Sequence, residues 1–236
     1  MEDRIQIPLE GNQTWIVRDA LEATARMIVG QPCEMLGQVL TTEGKRSYFA
    51  YEETIAIQRM VSSLMGLPGN ATGGVGWNTE GDILWDLYQV VRHRLAWDNA
   101  IKAELVNSDG SRNWSRMMGV SYDEPIKYGS EPLAQMSGAD SSYLLTLNHT
   151  QARLLDRALK TVLNASVCHF DLAVQWPKTR DNGTLREDSR NQLREAMEEV
   201  ACAHIGITLE QREKPEQSPL FGDLTALLAT LRNWQE

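Results

Sequence analysis

"RIQIPLEGNQTWIVRDALEATA" (Arg4 to Ala25) and "SYLLTLNHTQARLLDRALKTVL" (Ser142 to Leu163) read as two versions of one pattern. A shift of 138 positions lays one over the other without a gap, with Leu9 on Leu147, Gln13 on Gln151, Ala20 on Ala158 and Leu21 on Leu159. Ile7 meets Leu145, Ile16 meets Leu154 and Val17 meets Leu155, so apolar character persists where identity does not. "RIQIPLE" alternates apolar and polar residues, the period of a strand with one buried face. From about Thr14 to Val29 the apolar residues fall at helical spacing, and Gly30 stops the helix.

The likeness continues through the chain. "NQLREAMEEVACAHIGI" lies over "ETIAIQRMVSSLMGL" at an offset of 140, and "GDLTALLATLR" lies over "GDILWDLYQVV" at an offset of 141. Amphipathic helices resemble one another in any case, but a register that drifts so little predicts a tandem duplication. The expected fold is α+β and mainly helical, a repeated strand-plus-four-helix unit packed about a pseudo-twofold axis. The expected units are residues 1–106 and 141–236, joined by an irregular segment at 107–140.

Within the first unit, three further helices are expected. One starts near Pro32, with Met35, Leu36, Val39 and Leu40 on one side. "YEETIAIQRMVSSLMGLPG" forms the next, closed by Gly66 and Pro68. After the glycine-rich "NATGGVGWN", "EGDILWDLYQVVRHRLAWDNAIKAEL" is the longest, with Ile83, Leu84, Leu87, Val90, Val91 and Leu95 inward. Periodicity is lost from Asn107 to about Asp140, apart from a short extended piece expected in "GVSYDEPIKYG". Loops that long are uncommon unless functional or disordered, and Trp114, Tyr122 and Tyr128 argue against disorder.

Composition bounds the function. With 236 residues the chain can bury a sizeable core, and a net charge of −9 argues against a general nucleic-acid coat. A local Arg pocket for a small anion remains compatible with that charge. There is no basic start followed by an apolar run, no bilayer-length apolar stretch, and three widely spaced cysteines (Cys33, Cys168, Cys202). These point to a reducing cytoplasm and no membrane partner.

Motifs for chemistry are sparse. The four histidines (His93, His149, His169, His204) lack metal-site spacing, so no metal or cofactor is expected. "GGVG" at Gly73–Gly76 follows a helix and lacks the Lys-Ser/Thr of a phosphate loop. No nucleophile motif appears, and an enzyme is not expected. A hydrolase using Asp123 or Glu124 would need a metal or partner that the sequence does not show. The constellation that stands out is "LYQVVRHRLAW", where Tyr88 and Arg92 share a helix face beside His93, Arg94 and Trp97. Arginine forks suit phosphates and aromatic faces suit bases, although such residues also pack at core margins.

"DALEATARMIVGQPCEML", "DLYQVVRHRLAWD" and "VSYDEPIKYGSEPLAQ" together resemble small accessory proteins of tailed bacteriophages and prophages. Those proteins carry an Ala-Leu-Glu helix with an Arg…Gly-Gln turn, an Asp-Leu-Tyr-Gln-Val-Val-Arg-His helix and an Asp-Glu-Pro segment. The likeness covers most of residues 5–135 and departs at Pro32–Cys33, where an aromatic often follows the Gly-Gln. The resemblance implies a phage origin, and so the cytoplasm of an infected bacterium, but no particular activity. Two expectations follow. One is a non-enzymatic sponge that sequesters a small nucleotide immune signal through Arg26, Gln31, Tyr88, Arg92, His93, Trp97, Tyr122 and Lys127. The other is a module that binds a host or phage protein through the 107–140 segment. A homo-oligomer is compatible with either.

Overall fold

A computed structural model describes residues 4–31, 51–64, 73–166 and 218–233, with single positions at 194, 214 and 216. The helix expected at Pro32, the closure at Gly66 and Pro68, "NQLREAMEEVACAHIGI", His169, His204 and all three cysteines lie outside the described residues. In chain order the described elements are β1 (Ile5–Glu10), α1 (Gln13–Ile28), α2 (Tyr51–Leu64), α3 (Thr79–Lys102), a 3-10 turn (Val120–Tyr122), β2 (Gln135–Ala139), β3 (Ser142–Leu147), α4 (His149–Ser166) and α5 (Pro219–Arg232). The fold is α+β and mainly helical.

The three strands form an antiparallel sheet in the order β1-β3-β2. Alternation decides its faces: Ile5, Ile7 and Leu9 are buried, whereas Gln6, Pro8 and Glu10 are exposed. On β3 the same role falls to Tyr143, Leu145 and Leu147. Gly11 N–H donates to Ser141 O (2.8 Å), one step beyond the strand register. Ladder hydrogen bonds therefore fall on the odd-numbered residues of β1, and Pro8 turns its missing donor toward the outer edge.

The two stretches that open the sequence reading meet here. Ile7 pairs with Leu145, its own counterpart at the 138-residue offset, while Ile5 pairs with Leu147 and Leu9 with Tyr143. Each strand is followed by a helix that begins in the same way. Glu10 N–H donates to Gln13 Oε1 (3.0 Å), and Asn148 N–H donates to Gln151 Oε1 (3.0 Å). A side-chain acceptor in each first turn satisfies an N–H that would otherwise lack a partner.

Helix α1 runs through the middle of the core rather than along its surface. Ala20, Leu21, Ala23, Ala25 and Met27 are all fully buried, on every side of the helix. Helices α3, α4 and α5 and the sheet pack around it. Gly30, with φ 75°, takes the left-handed turn that ends α1, and Gln31 N–H reaches back to Arg26 O (2.8 Å). Helix α3 is capped by Asn78, whose Oδ1 accepts from Glu80 N–H (2.9 Å) and Gly81 N–H (3.0 Å). All six α3 residues expected inward are buried. One hydrophobic cluster joins residues of β1, α1 and α3 to residues of β3, α4 and α5, so the core crosses the expected unit boundary.

The segment at 107–140 is where expectation and structure part. "GVSYDEPIKYG" carries only the 3-10 turn, and the strand lies later, at Gln135–Ala139. A two-residue turn at Asp140 (φ 54°) and Ser141 (φ 71°) joins it to β3. This positive-φ pair is the kind of hairpin turn usually signalled by Asn-Gly or Asp-Gly, and Ser141 hid it. No helix among the described residues is long and apolar enough to cross a membrane.

Candidate recognition surface and pocket

Helix α3 holds the chain between Val120 and Gly129 by a row of polar side chains. The Asp86 carboxylate accepts from Tyr128 N–H (2.9 and 3.1 Å) and Gly129 N–H (2.8 Å). One turn on, the Gln89 amide closes on both sides of one residue, donating to Ile126 O (2.9 Å) and accepting from Ile126 N–H (3.2 Å). Arg92 donates to Val120 O (3.0 Å) and Trp97 Nε1–H to Tyr122 O (3.2 Å). The spacing of 86, 89 and 92 keeps these groups along one side of the helix. Gly129 allows the close approach, since a Cβ there would lie 2.8 Å from Ile83 Cγ1.

A segment pinned by its backbone leaves its side chains to point away. Trp114 (71 % exposed), Met118 (76 %), Val120 (65 %), Ile126 (56 %) and Tyr128 (44 %) all face solvent. Arg112 organises the first part of this surface. It donates to Met117 O (2.9 Å) and Gly119 O (3.1 Å), pairs with Asp123 (2.5 Å), and lies 3.9 Å from the centre of the Trp114 ring. The exposed Trp114 therefore rests on a fixed cation.

The eight residues singled out in the sequence separate into an internal chain of contacts and a few outer groups. Gln31 Oε1 accepts from Arg26 (3.3 Å), and Arg26 pairs with buried Glu22 (2.9 Å). The Tyr88 hydroxyl is hydrogen-bonded to Glu22, and its pKa is pushed up to about 12, chiefly by burial and then by that carboxylate. Arg92 lies 5.2 Å from the Tyr88 ring centre. Tyr88 is thus a buried link in a polar chain, and Arg92 spends a donor on the backbone at Val120. Tyr122 sits under Arg112 (5.5 Å), and Lys127 is exposed. Burial lowers the pKa of His93, which stacks edge-on against Trp97 at 6.1 Å. Glu124 is 90 % exposed and 3.8 Å from His93 Nε2, while Asp123 is held by Arg112. Among the described residues no group of His, Cys, Asp or Glu could hold a metal ion.

Arg26 and Gln31 stand beside a pocket of about 260 Å³. It is lined by Ala25 of α1, Val29 and Gln31 just beyond that helix, Gly74 and Val75 of the glycine loop, Trp85 of α3 and Tyr128 of the pinned segment. Arg26 lies 5.0 Å from the Trp85 ring centre, and Tyr88 meets Trp85 at 5.0 Å between centroids. The sequence reading missed Trp85, Asp86 and Gln89. A signal was present, since Asp82, Asp86, Gln89 and Arg92 recur at three- and four-residue spacing and form a polar stripe on a helix whose other side is apolar. No protein-family model, curated protein or solved structure matches this chain.

Proposed function

We propose that the chain is a non-catalytic binding protein that engages another protein through the surface between Arg112 and Tyr128. The carrying observation is the arrangement of that segment: backbone held by Arg112 in its first part and by α3 from Val120 onward, and five large apolar side chains turned to solvent. Monomeric proteins rarely expose large apolar patches without an interaction to serve, and interface centres favour aromatic residues and Met. A surface fixed in advance also loses less conformational entropy on binding. The phage setting and the cytoplasm of an infected bacterium rest on the resemblance of the three sequence pieces.

The test is a photo-crosslinking residue placed at Met118 in the full chain, in infected and uninfected bacteria, with Gln6 on the exposed sheet face as the control position. The reading requires one discrete adduct at Met118 that is lost with Trp114→Ser. No adduct, or the same adducts at Gln6, overturns it.

Sequestration of a small nucleotide signal is the second reading, favoured by the Arg26–Trp85 stack beside a pocket. A sponge of this kind would lower the free signal by mass action and release it unchanged on denaturation. Cyclic di- and trinucleotides would raise the melting temperature by a few degrees at about 100 times their dissociation constant, and Arg26→Ala would abolish the effect.

We also propose that the strand–helix units are copies related by a twofold axis through the Ile7–Leu145 pair. The antiparallel register centred on that pair and the matching Gln13 and Gln151 contacts support this. A half-turn about that axis should lay α1 on α4. Failure of the two helices to superpose would remove the duplication.

A further inference from the structure

We infer that the pocket beside Trp85 is the anchor point of this protein-binding surface and takes one aromatic side chain of the partner, of the kind that carries a hydrogen-bond donor at its edge. The inference rests on the protein-binding reading and adds to it the chemistry of the contact. Size comes first: about 260 Å³ lies below the roughly 300–1,000 Å³ that drug-sized ligands occupy, so the space suits one ring system rather than a dinucleotide. The lining comes second. Ala25, Val29, Val75, Trp85 and Tyr128 give apolar and aromatic walls. The Trp85 ring is held between its contacts with Arg26 and Tyr88 and so needs little reordering.

Polarity comes third. Gln31 Nε2 already donates to Gly73 O (2.8 Å), and Gln31 Oε1 accepts from Arg26. Each of these uses half of the amide's capacity, so Gln31 keeps one Nε2–H donor and, at Oε1, a free acceptor. An indole N–H or a phenol O–H matches it, and an aliphatic side chain does not. Continuity comes fourth: Tyr128 belongs both to the pocket wall and to the exposed row that includes Ile126. Aromatic anchors seated in pockets are the usual centres of binding energy at protein interfaces.

Two glycines give the pocket its form and supply the test. A Cβ at Gly73 would lie 1.9 Å from Val29 O, so only glycine lets the loop rest on the end of α1. At Gly74 a Cβ would meet only Gln31 Nε2, at 3.6 Å, so a larger side chain fits there and occupies the pocket. The experiment titrates the full chain with N-acetyl-tryptophanamide, N-acetyl-leucinamide and adenosine monophosphate, following the amide of Gly74, the side-chain amide of Gln31 and the indole of Trp85 by NMR. The tryptophan probe should shift all three saturably, with a dissociation constant between about 0.1 and 1 mM, and the leucine probe should bind at least about fivefold more weakly. Gly74→Leu should abolish the shifts, and Tyr128→Ala should weaken them if Gly74→Leu proves unstable. No saturable shift, or tighter binding of the nucleotide, overturns the inference. So does an adduct at Met118 that survives Gly74→Leu, although protein binding then stands. Binding of the tryptophan probe without any adduct at Met118 overturns both the anchor role and the protein-binding reading.

Discussion

The core around α1 and the segment between Arg112 and Gly129 belong to the same domain but are held by opposite means. In the core, side chains from the sheet, α1, α3, α4 and α5 turn inward and exclude water, and each fully buried Leu or Ile contributes about 1.5–3 kcal/mol. In the segment the backbone turns inward, toward polar side chains of α3, and most large apolar groups are left outside, Met117 being the buried exception. One region is stabilised by burying what water rejects. The other is ordered by satisfying what water would otherwise have satisfied, which leaves apolar side chains exposed. One face of α3 thus packs into the apolar core and another holds a backbone segment.

Substitutions can test that division, the largest effect first. Leu21→Ala, at a position with no exposure in the central helix, should lower the unfolding free energy in urea by about 2–5 kcal/mol and destabilise the whole domain. If the domain is unaffected, the core is not organised around α1. Asp86→Ala leaves two backbone N–H groups without an acceptor, at a cost of about 1–3 kcal/mol. Its signature should be local: hydrogen exchange should rise at residues 120–129 while the amides of α1 stay protected. Equal loss of protection in both places would mean that the segment is part of the core.

Asp19 gives the central helix a pH dependence of its own. Burial lifts its pKa to about 6, outweighing the adjacent Arg18 guanidinium at 2.5 Å. A carboxyl whose folded pKa is raised stabilises the fold fully below its ordinary value near 4, and that contribution is lost as pH rises through 6. Asp19→Asn should therefore stabilise the protein at pH 7 by on the order of 2 kcal/mol and make no difference below about pH 4. A denaturation series at the two pH values checks the sign. The smallest effect is at the hairpin. Ser141→Gly, relieving a φ of 71°, should raise stability by about 1 kcal/mol. A loss of stability there would show that the Ser141 side chain contributes more than its backbone strain costs.

The two glutamines at the helix starts show the limit of a local pattern. Gln13 and Gln151 accept the same hydrogen bond at the starts of α1 and α4, but Gln151 also donates to Pro132 O (2.6 Å), and neighbouring Asn148 donates to Glu131 (2.6 Å). The second strand–helix unit thus also holds the end of the long segment. The equivalence at the helix starts was legible in the sequence because capping is local. The extra task of Gln151 was not, since nothing in residues 148–151 indicates what lies across from them.

Local order was written in the chain. Period-two and period-3.6 patterns, Gly30 and the cap residues placed β1, α1, α3, β3, α4 and α5, because these depend on neighbours a few residues apart. The sequence also marked residues 107–140 as lacking periodicity, with aromatic residues that argue against disorder. Only the tertiary structure decided which side of that order faced outward. Tyr88 and Arg92 looked like ligand groups on a helix face, and the fold placed Glu22 and Val120 against them. Trp85 and Tyr128, far apart in sequence, became the walls of one pocket. The physical reason is that a polar or aromatic side chain has the same periodicity whether it faces a ligand or a backbone. Which of these it meets depends on contacts between residues some 30–70 positions apart, and no local pattern encodes them.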